Sequence, residues 1–158
     1  MIYSLTYKNA PLITSLVFPI FFIINFKNGD TNPYFLYFFL TTTNASIVSI
    51  LFWSDPIQNK NQLVHKLDAI SARYVIISYA LYKLFINQKS IYLFFTSYFL
   101  MLFFFYLSNK FSSRKWCCRK HIECHINAHL YSIPCFLIVL NDLLSIKESS
   151  FPLKSLGL

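Results

Sequence analysis

Five apolar stretches, parted by short polar or basic ones, constrain this chain more than any other feature of it. They run over about 12–26, 34–53, 67–86, 91–107 and 122–140, most of them roughly 15–20 residues long. About 20 apolar residues in helical form cross the roughly 30 Å of hydrocarbon in a bilayer. Helix is forced there, because hydrocarbon offers no water to backbone N–H and C=O groups. Composition agrees. Charged residues are only 13% of the 158, and Phe, Tyr and Trp reach 20%, more aromatic surface than a small soluble core can hide. The fold predicted is an all-α polytopic membrane helix bundle of about five transmembrane helices, one integral membrane domain over 1–158.

Details qualify individual segments. The polar run "TTTNAS" weakens the second, and Pro134 is expected to kink the fifth, the least apolar. Lys8 precedes an apolar run as in a signal peptide, but no small-x-small cleavage site follows Phe26, so a retained signal-anchor helix is expected. No internal repeat supports a transporter, and no glycine-rich phosphate loop is present.

The formal net charge of +8 would raise nucleic acid as a partner in a soluble protein. Here the positive residues fall mostly in short loops, where they read as a topology signal, so no nucleic-acid partner is expected. With five spans, one side carries Lys8, Lys60, Lys66, Lys110, Arg114, Lys115, Arg119 and Lys120. The other carries Lys27, Lys83, Lys89, Lys147 and Lys154. The positive-inside rule then puts the N-terminus and the 109–121 loop in the cytosol and the C-terminal tail on the opposite side.

Polar residues inside the apolar segments ask for a reason, since each costs free energy in hydrocarbon. Asp68 and Arg73 lie in the third; Asp68 is near its cytosolic end, and Arg73 can snorkel. His65 and Asp68 are one turn apart, whereas Asp68 and Arg73 point to different faces. In "RKHIECHINAHLYSIP", His121, His125 and His129 recur every four residues and form one ladder on a helix. At about 1.5 Å per residue, Ser49, Asp68, His125 and His129 fall within roughly 10 Å of one membrane level. Three helices thus present Ser, Asp and two His to one cytosol-facing layer. A histidine pair at i, i+4 is also a common way to offer two nitrogens to one metal ion.

Plainer readings stand beside this. His121 is expected in the headgroup belt, Glu123 as a solvated charge, and Asn127 and Tyr131 as interhelical hydrogen-bond partners. The run "CCRKHIECH" places Cys117, Cys118, His121, Cys124 and His125 together, but its spacing fits no zinc finger. Cys117 and Cys118 read first as reduced, unmodified thiols, then as juxtamembrane palmitoylation sites. Cys135 reads as core, and a structural disulfide on the cytosolic face is not expected.

These residues resemble a known pattern. In the superfamily of progestin/adipoQ receptors and alkaline ceramidases, seven-helix membrane proteins, Ser-x-x-x-His lies near the end of the second helix. An Asp follows near the start of the third, and His-x-x-x-His lies in the last. Here "HINAH" supplies His125 and His129, "HKLDAISA" supplies Asp68, and "SILFW" supplies Ser49. The resemblance implies zinc held by three histidines, with the Asp bound through water, and hydrolysis of lipid amides. Two departures stand against it. The third ligand position is Trp53, with His65 or His121 as substitutes outside the motif, and the chain has two spans fewer. The chain also looks like uncharacterised membrane proteins of large DNA viruses, which implies nothing about mechanism.

Two function classes follow as expectations. The first is a zinc-dependent hydrolase of lipid amides or esters, with His125 and His129 as metal ligands, Asp68 handling the water and Ser49 donating a hydrogen bond. Membrane lipids are its partners and reach it sideways from the bilayer. The second is a non-enzymatic membrane scaffold or interaction protein, for example a viral membrane component, with interfacial histidines and Asp68 as a packing group or helix N-cap. A bis-histidine haem bundle, pairing His65 or His121 with His125 or His129, ranks below both.

Overall fold

The computed structural model describes residues 2–26, 32–54 and 63–149, with side chains over 9–26, 32–54 and 63–145. Five helices follow one another: α1 Ile2–Asn25, α2 Pro33–Ser54, α3 Leu63–Phe85, α4 Ile91–Arg114 and α5 Arg119–Ser149. Among them α2, α4 and α5 are each long and apolar enough to cross a membrane, while the apolar part of α1, Asn9–Asn25, is shorter. His65, Lys66, Asp68, Arg73 and Lys83 all fall within α3, which is not among these candidate spans.

Every helix extends beyond its apolar limits at one or both ends, with α1 and α3 starting earlier and stopping one residue short, at Asn25 and Phe85. The predicted 109–121 loop is the largest correction. Only residues 115–118 separate α4 from α5, and Lys110 and Arg114 sit on the helix. Helix persists there because the polar end of α4 packs on α5: Ser108 and Ser112 are buried, and the Ser108 hydroxyl donates to the His121 carbonyl at 3.4 Å. The chain turns through Cys117 at φ 54°, and α5 continues through Pro134 without a break.

Local chemistry sets the other turns. Asn32 caps α2, its Oδ1 accepting from the backbone N–H of Tyr34 at 3.0 Å and Phe35 at 3.4 Å, with Pro33 in the first helical position. Its amide also donates to the Leu143 carbonyl, at 3.3 Å, which ties the start of α2 to α5. Between α3 and α4, Asn87 Oδ1 accepts from the Lys89 N–H at 2.9 Å, and Ser90 takes a left-handed conformation.

The helices pack most closely as α4 on α5, α1 on α2, α2 on α3 and α1 on α5, while α3 barely touches α4. The core fills the half of the bundle around the α1 C-terminus and the α4 N-terminus. Phe22, Phe35, Phe38, Tyr79, Tyr82, Phe94, Phe136, Val139 and Leu143 form it, largely through edge-to-face ring pairs, and Cys135 joins them. In the other half Phe52, Trp53, His121 and Ile122 are buried. In α3, the only buried side chains are Tyr79, Tyr82 and Lys83, all near its C-terminal end. Large apolar side chains such as Ile24, Leu40, Leu51, Ile77, Leu93 and Phe99 face outward, as lipid-facing positions do.

The charge pattern needs one correction. Lys83 is no loop charge: its side chain is 0% exposed and ion-paired with Asp142 of α5. The side chains of Lys8, Lys27, Lys60, Lys147 and Lys154 lie outside the described residues.

Candidate functional site

A cavity of about 110 Å³ lies next to this core, and all five helices line it. Its walls are mostly apolar, from Phe18 on α1, Val75 and Ile76 on α3, Met101 and Phe105 on α4, and Cys135 on α5. Polar groups are gathered chiefly at one end: Ser15, Ser49, Asp68, His125 and His129. The four residues that the depth argument puts at one level therefore line one chamber, with room for several waters.

The antiparallel alternation of helices explains the convergence. Ser49 is five residues from the end of α2, and Asp68 is five residues past the start of α3. Both lie at about one depth, as His125 does on α5. Ser49 and Asp68 line the same end of the chamber. Ser15 Oγ lies 3.0 Å from Ser49 Oγ and 2.8 Å from its own helix's Pro11 carbonyl, which extends the polar chain onto α1. Asp68 is inside α3, so it is not that helix's N-cap.

The histidine pair has a defined geometry. His125 Nε2 and His129 Nε2 approach to 3.2 Å, and His129 Nδ1 lies 3.1 Å from Thr14 Oγ1. The Thr14 hydroxyl already donates to the carbonyls of Ala10, at 3.1 Å, and Pro11, at 3.0 Å. With Thr14 as acceptor, His129 Nδ1 carries the proton, and in that tautomer His129 Nε2 accepts from His125 Nε2–H. Neither Thr14 nor Ser15 carries a sequence signal, because hydroxyls in apolar helices ordinarily bond back to their own helix.

The other candidates are placed elsewhere. His121 is not in a headgroup belt; it is buried, with Trp116 at 5.1 Å and Trp53 at 6.4 Å between ring centroids. Its ring centre is 6.2 Å from that of His125. His65 packs against Phe52 and Trp116, at 5.0 and 5.1 Å, and does not line the chamber. The Trp53 ring lies tilted against His125, 5.0 Å between centroids, and its buried indole N–H has no acceptor among the described residues. Asn127 bonds within its helix, to the Glu123 carbonyl at 3.0 Å, rather than across helices. Tyr131 stacks on Phe104 of α4 at 5.4 Å, and Glu123 pairs with Arg119 at 2.7 Å instead of standing as a lone charge.

As a metal centre the site is half built. Two imidazole nitrogens bonded to one tetrahedral zinc at 2.0–2.1 Å stand about 3.3 Å apart. The His125–His129 separation matches that, and Thr14 holds the outer nitrogen of His129 as oxygens hold metal-bound imidazoles. No group of three or more His, Cys, Asp or Glu close enough to hold an ion occurs among the described residues. Trp53 packs against His125, and its indole cannot supply a ligand nitrogen. The pair fits two zinc positions, and water or a moved side chain would have to complete the set.

No protein-family model matches this chain, and neither a curated protein nor a solved structure shows detectable similarity to it.

Proposed function

We propose that this integral membrane protein hydrolyses a lipid amide or ester in the chamber between its helices. The observation that carries the reading is the meeting of Ser49, Asp68, His125 and His129 in one largely apolar cavity, where Asp68, His125 and His129 are the only acidic and imidazole side chains among the described residues that line it. A scaffold has no need to hold four polar side chains from three helices around a space large enough for water, at a free-energy cost in hydrocarbon.

The roles follow from the chemistry of each group. His125 and His129 would hold zinc through Nε2, with Thr14 fixing the His129 ring. When bound, zinc would polarise the scissile carbonyl and lower the pKa of water toward neutrality. Asp68 orients the attacking water and takes its proton, with the Ser49 hydroxyl beside it on the chamber wall to donate a hydrogen bond. Water adds to the carbonyl carbon, the C–N or C–O bond breaks, and the proton goes to the departing amine or alcohol. The products are a carboxylic acid and that amine or alcohol. The apolar walls receive the acyl chain, and the loose seam between α3 and α4 gives it access from the bilayer.

Trp53 favours a second reading, a membrane protein that binds lipid or a partner without reacting, since indole cannot be a ligand. Metal content of the purified chain separates the two. We expect near one zinc per chain, lost in the His125→Ala/His129→Ala double variant, together with release of fatty acid from a panel of ceramides and acyl esters that Asp68→Asn abolishes. No stoichiometric metal and no hydrolysis by the unaltered chain would sink the enzyme reading.

A further inference from the structure

The outward face of α2 carries an anomaly that the chamber does not explain. Asn44 lies at the middle of the span Pro33–Ser54, so it sits near the bilayer midplane. It is exposed, and it lies at the centre of the exposed stripe: Leu40, Ile47 and Leu51 flank it on the same face, all facing lipid. A primary amide there has two donors and an acceptor with no water to receive them.

Neighbouring polar groups on this side are satisfied within the chain. The Thr41 hydroxyl donates to the Tyr37 carbonyl at 2.9 Å. Tyr37 Oη bonds Tyr74 Oη at 2.8 Å and Ser78 Oγ at 2.9 Å, and Ser78 donates to the Tyr74 carbonyl at 2.8 Å. No comparable side-chain partner of Asn44 occurs among the described residues.

Tyr37, Thr41, Asn44, Val48 and Leu51 recur at alternating spacings of four and three, the seam of a left-handed pair of helices. From these facts we infer that α2 is a self-association face, on which Asn44 of one chain hydrogen-bonds Asn44 of a second copy across a two-fold axis normal to the membrane. A second copy is the occupant that the amide itself selects. Asn is both donor and acceptor, so two related Asn residues satisfy each other reciprocally, and an isologous contact brings identical residues together at the axis. The surrounding seam carries no charge, and asks for no complementary charge. The proposal is independent of the hydrolase reading.

The test is the monomer–dimer equilibrium of the full chain in liposomes of phosphatidylcholine, read by energy transfer between labelled copies as the protein-to-lipid ratio is varied. The unaltered chain is expected to dimerise. Asn44→Val should weaken the dimer by about tenfold, the scale of an interhelical amide bond in lipid. Asn44→Gln should retain most of the association, and Leu93→Val, on exposed α4 surface, should leave it unchanged. Transfer no greater than random proximity at every ratio would overturn the proposal. So would a dimer that Asn44→Val leaves intact, which would point to another surface. Association that appears only when a different membrane protein is added would assign the face to that partner and overturn self-pairing.

Discussion

Lys83 Nζ of α3 lies 2.5 Å from Asp142 Oδ2 of α5, and the two side chains are 0% and 2% exposed. Lys83 also donates to the Lys89 carbonyl in the α3–α4 connection. One ammonium thus joins three segments at the packed end of the bundle, beside Tyr82 and Leu143. This knot lies at the opposite end of α3 from Asp68. It holds α3 in place where its first half has no buried side chain.

Removing one partner leaves the other charge buried and alone, which costs about 3–5 kcal/mol in comparable pairs. Lys83→Met and Asp142→Leu are each expected to lower the unfolding midpoint in detergent sharply. The double variant should recover most of the loss, because an apolar pair removes both desolvation costs. A double variant as unstable as the worse single would show that the pair contributes through the Lys89 carbonyl instead.

The core of the fold could be read from the sequence; its polar ties could not. Five apolar runs fix five helices, because hydrocarbon permits no other local structure. Helix ends were misjudged where Ser108 and Ser112 extend α4 by packing on α5, a tertiary contact that hydropathy does not register. The common level of Ser49, Asp68 and His125 follows from the helical rise and the alternation of direction alone. The contribution of α1, through Thr14 and Ser15, does not, since an isolated hydroxyl in an apolar helix is silent. Lys83 and Asp142 are 59 residues apart. A lysine near a span end reads as snorkelling, so nothing in the sequence marks it as buried.

Thr14 offers a test of the histidine geometry apart from the histidines themselves. Thr14→Val removes the acceptor of His129 Nδ1–H and keeps the side chain's shape. Loss of such an outer partner ordinarily costs 10- to 100-fold in metal affinity. The variant should fold normally and release zinc to a chelator at a concentration lower by about that factor. Equal retention in both chains would show that Thr14 does not set the tautomer.

Trp53→His tests the missing ligand. The indole packs 5.0 Å from His125, and its buried N–H has no acceptor among the described residues, so replacement removes an unsatisfied donor as well as bulk. A third imidazole there would complete a three-nitrogen set. Zinc affinity measured by competition should rise by at least about tenfold. If it does not, Trp53 is not positioned toward the His125–His129 pair as a ligand would be, and the third partner must come from elsewhere.

Cys117 and Cys118 report the orientation. Both are partly exposed in the four-residue connection between α4 and α5, next to Lys110, Arg114, Lys115, Arg119 and Lys120. Cys135 is buried in the core and should stay silent toward reagents. A cytosolic basic turn predicts that a membrane-impermeant maleimide leaves Cys117 and Cys118 unmodified on intact cells and reacts once the membrane is permeabilised. In a Cys124→Ser background, Cys117→Ser/Cys118→Ser should abolish that signal, which assigns it to the turn. Labelling on intact cells would invert the topology. The chamber's polar end, which lies toward this turn, would then face away from the cytosol.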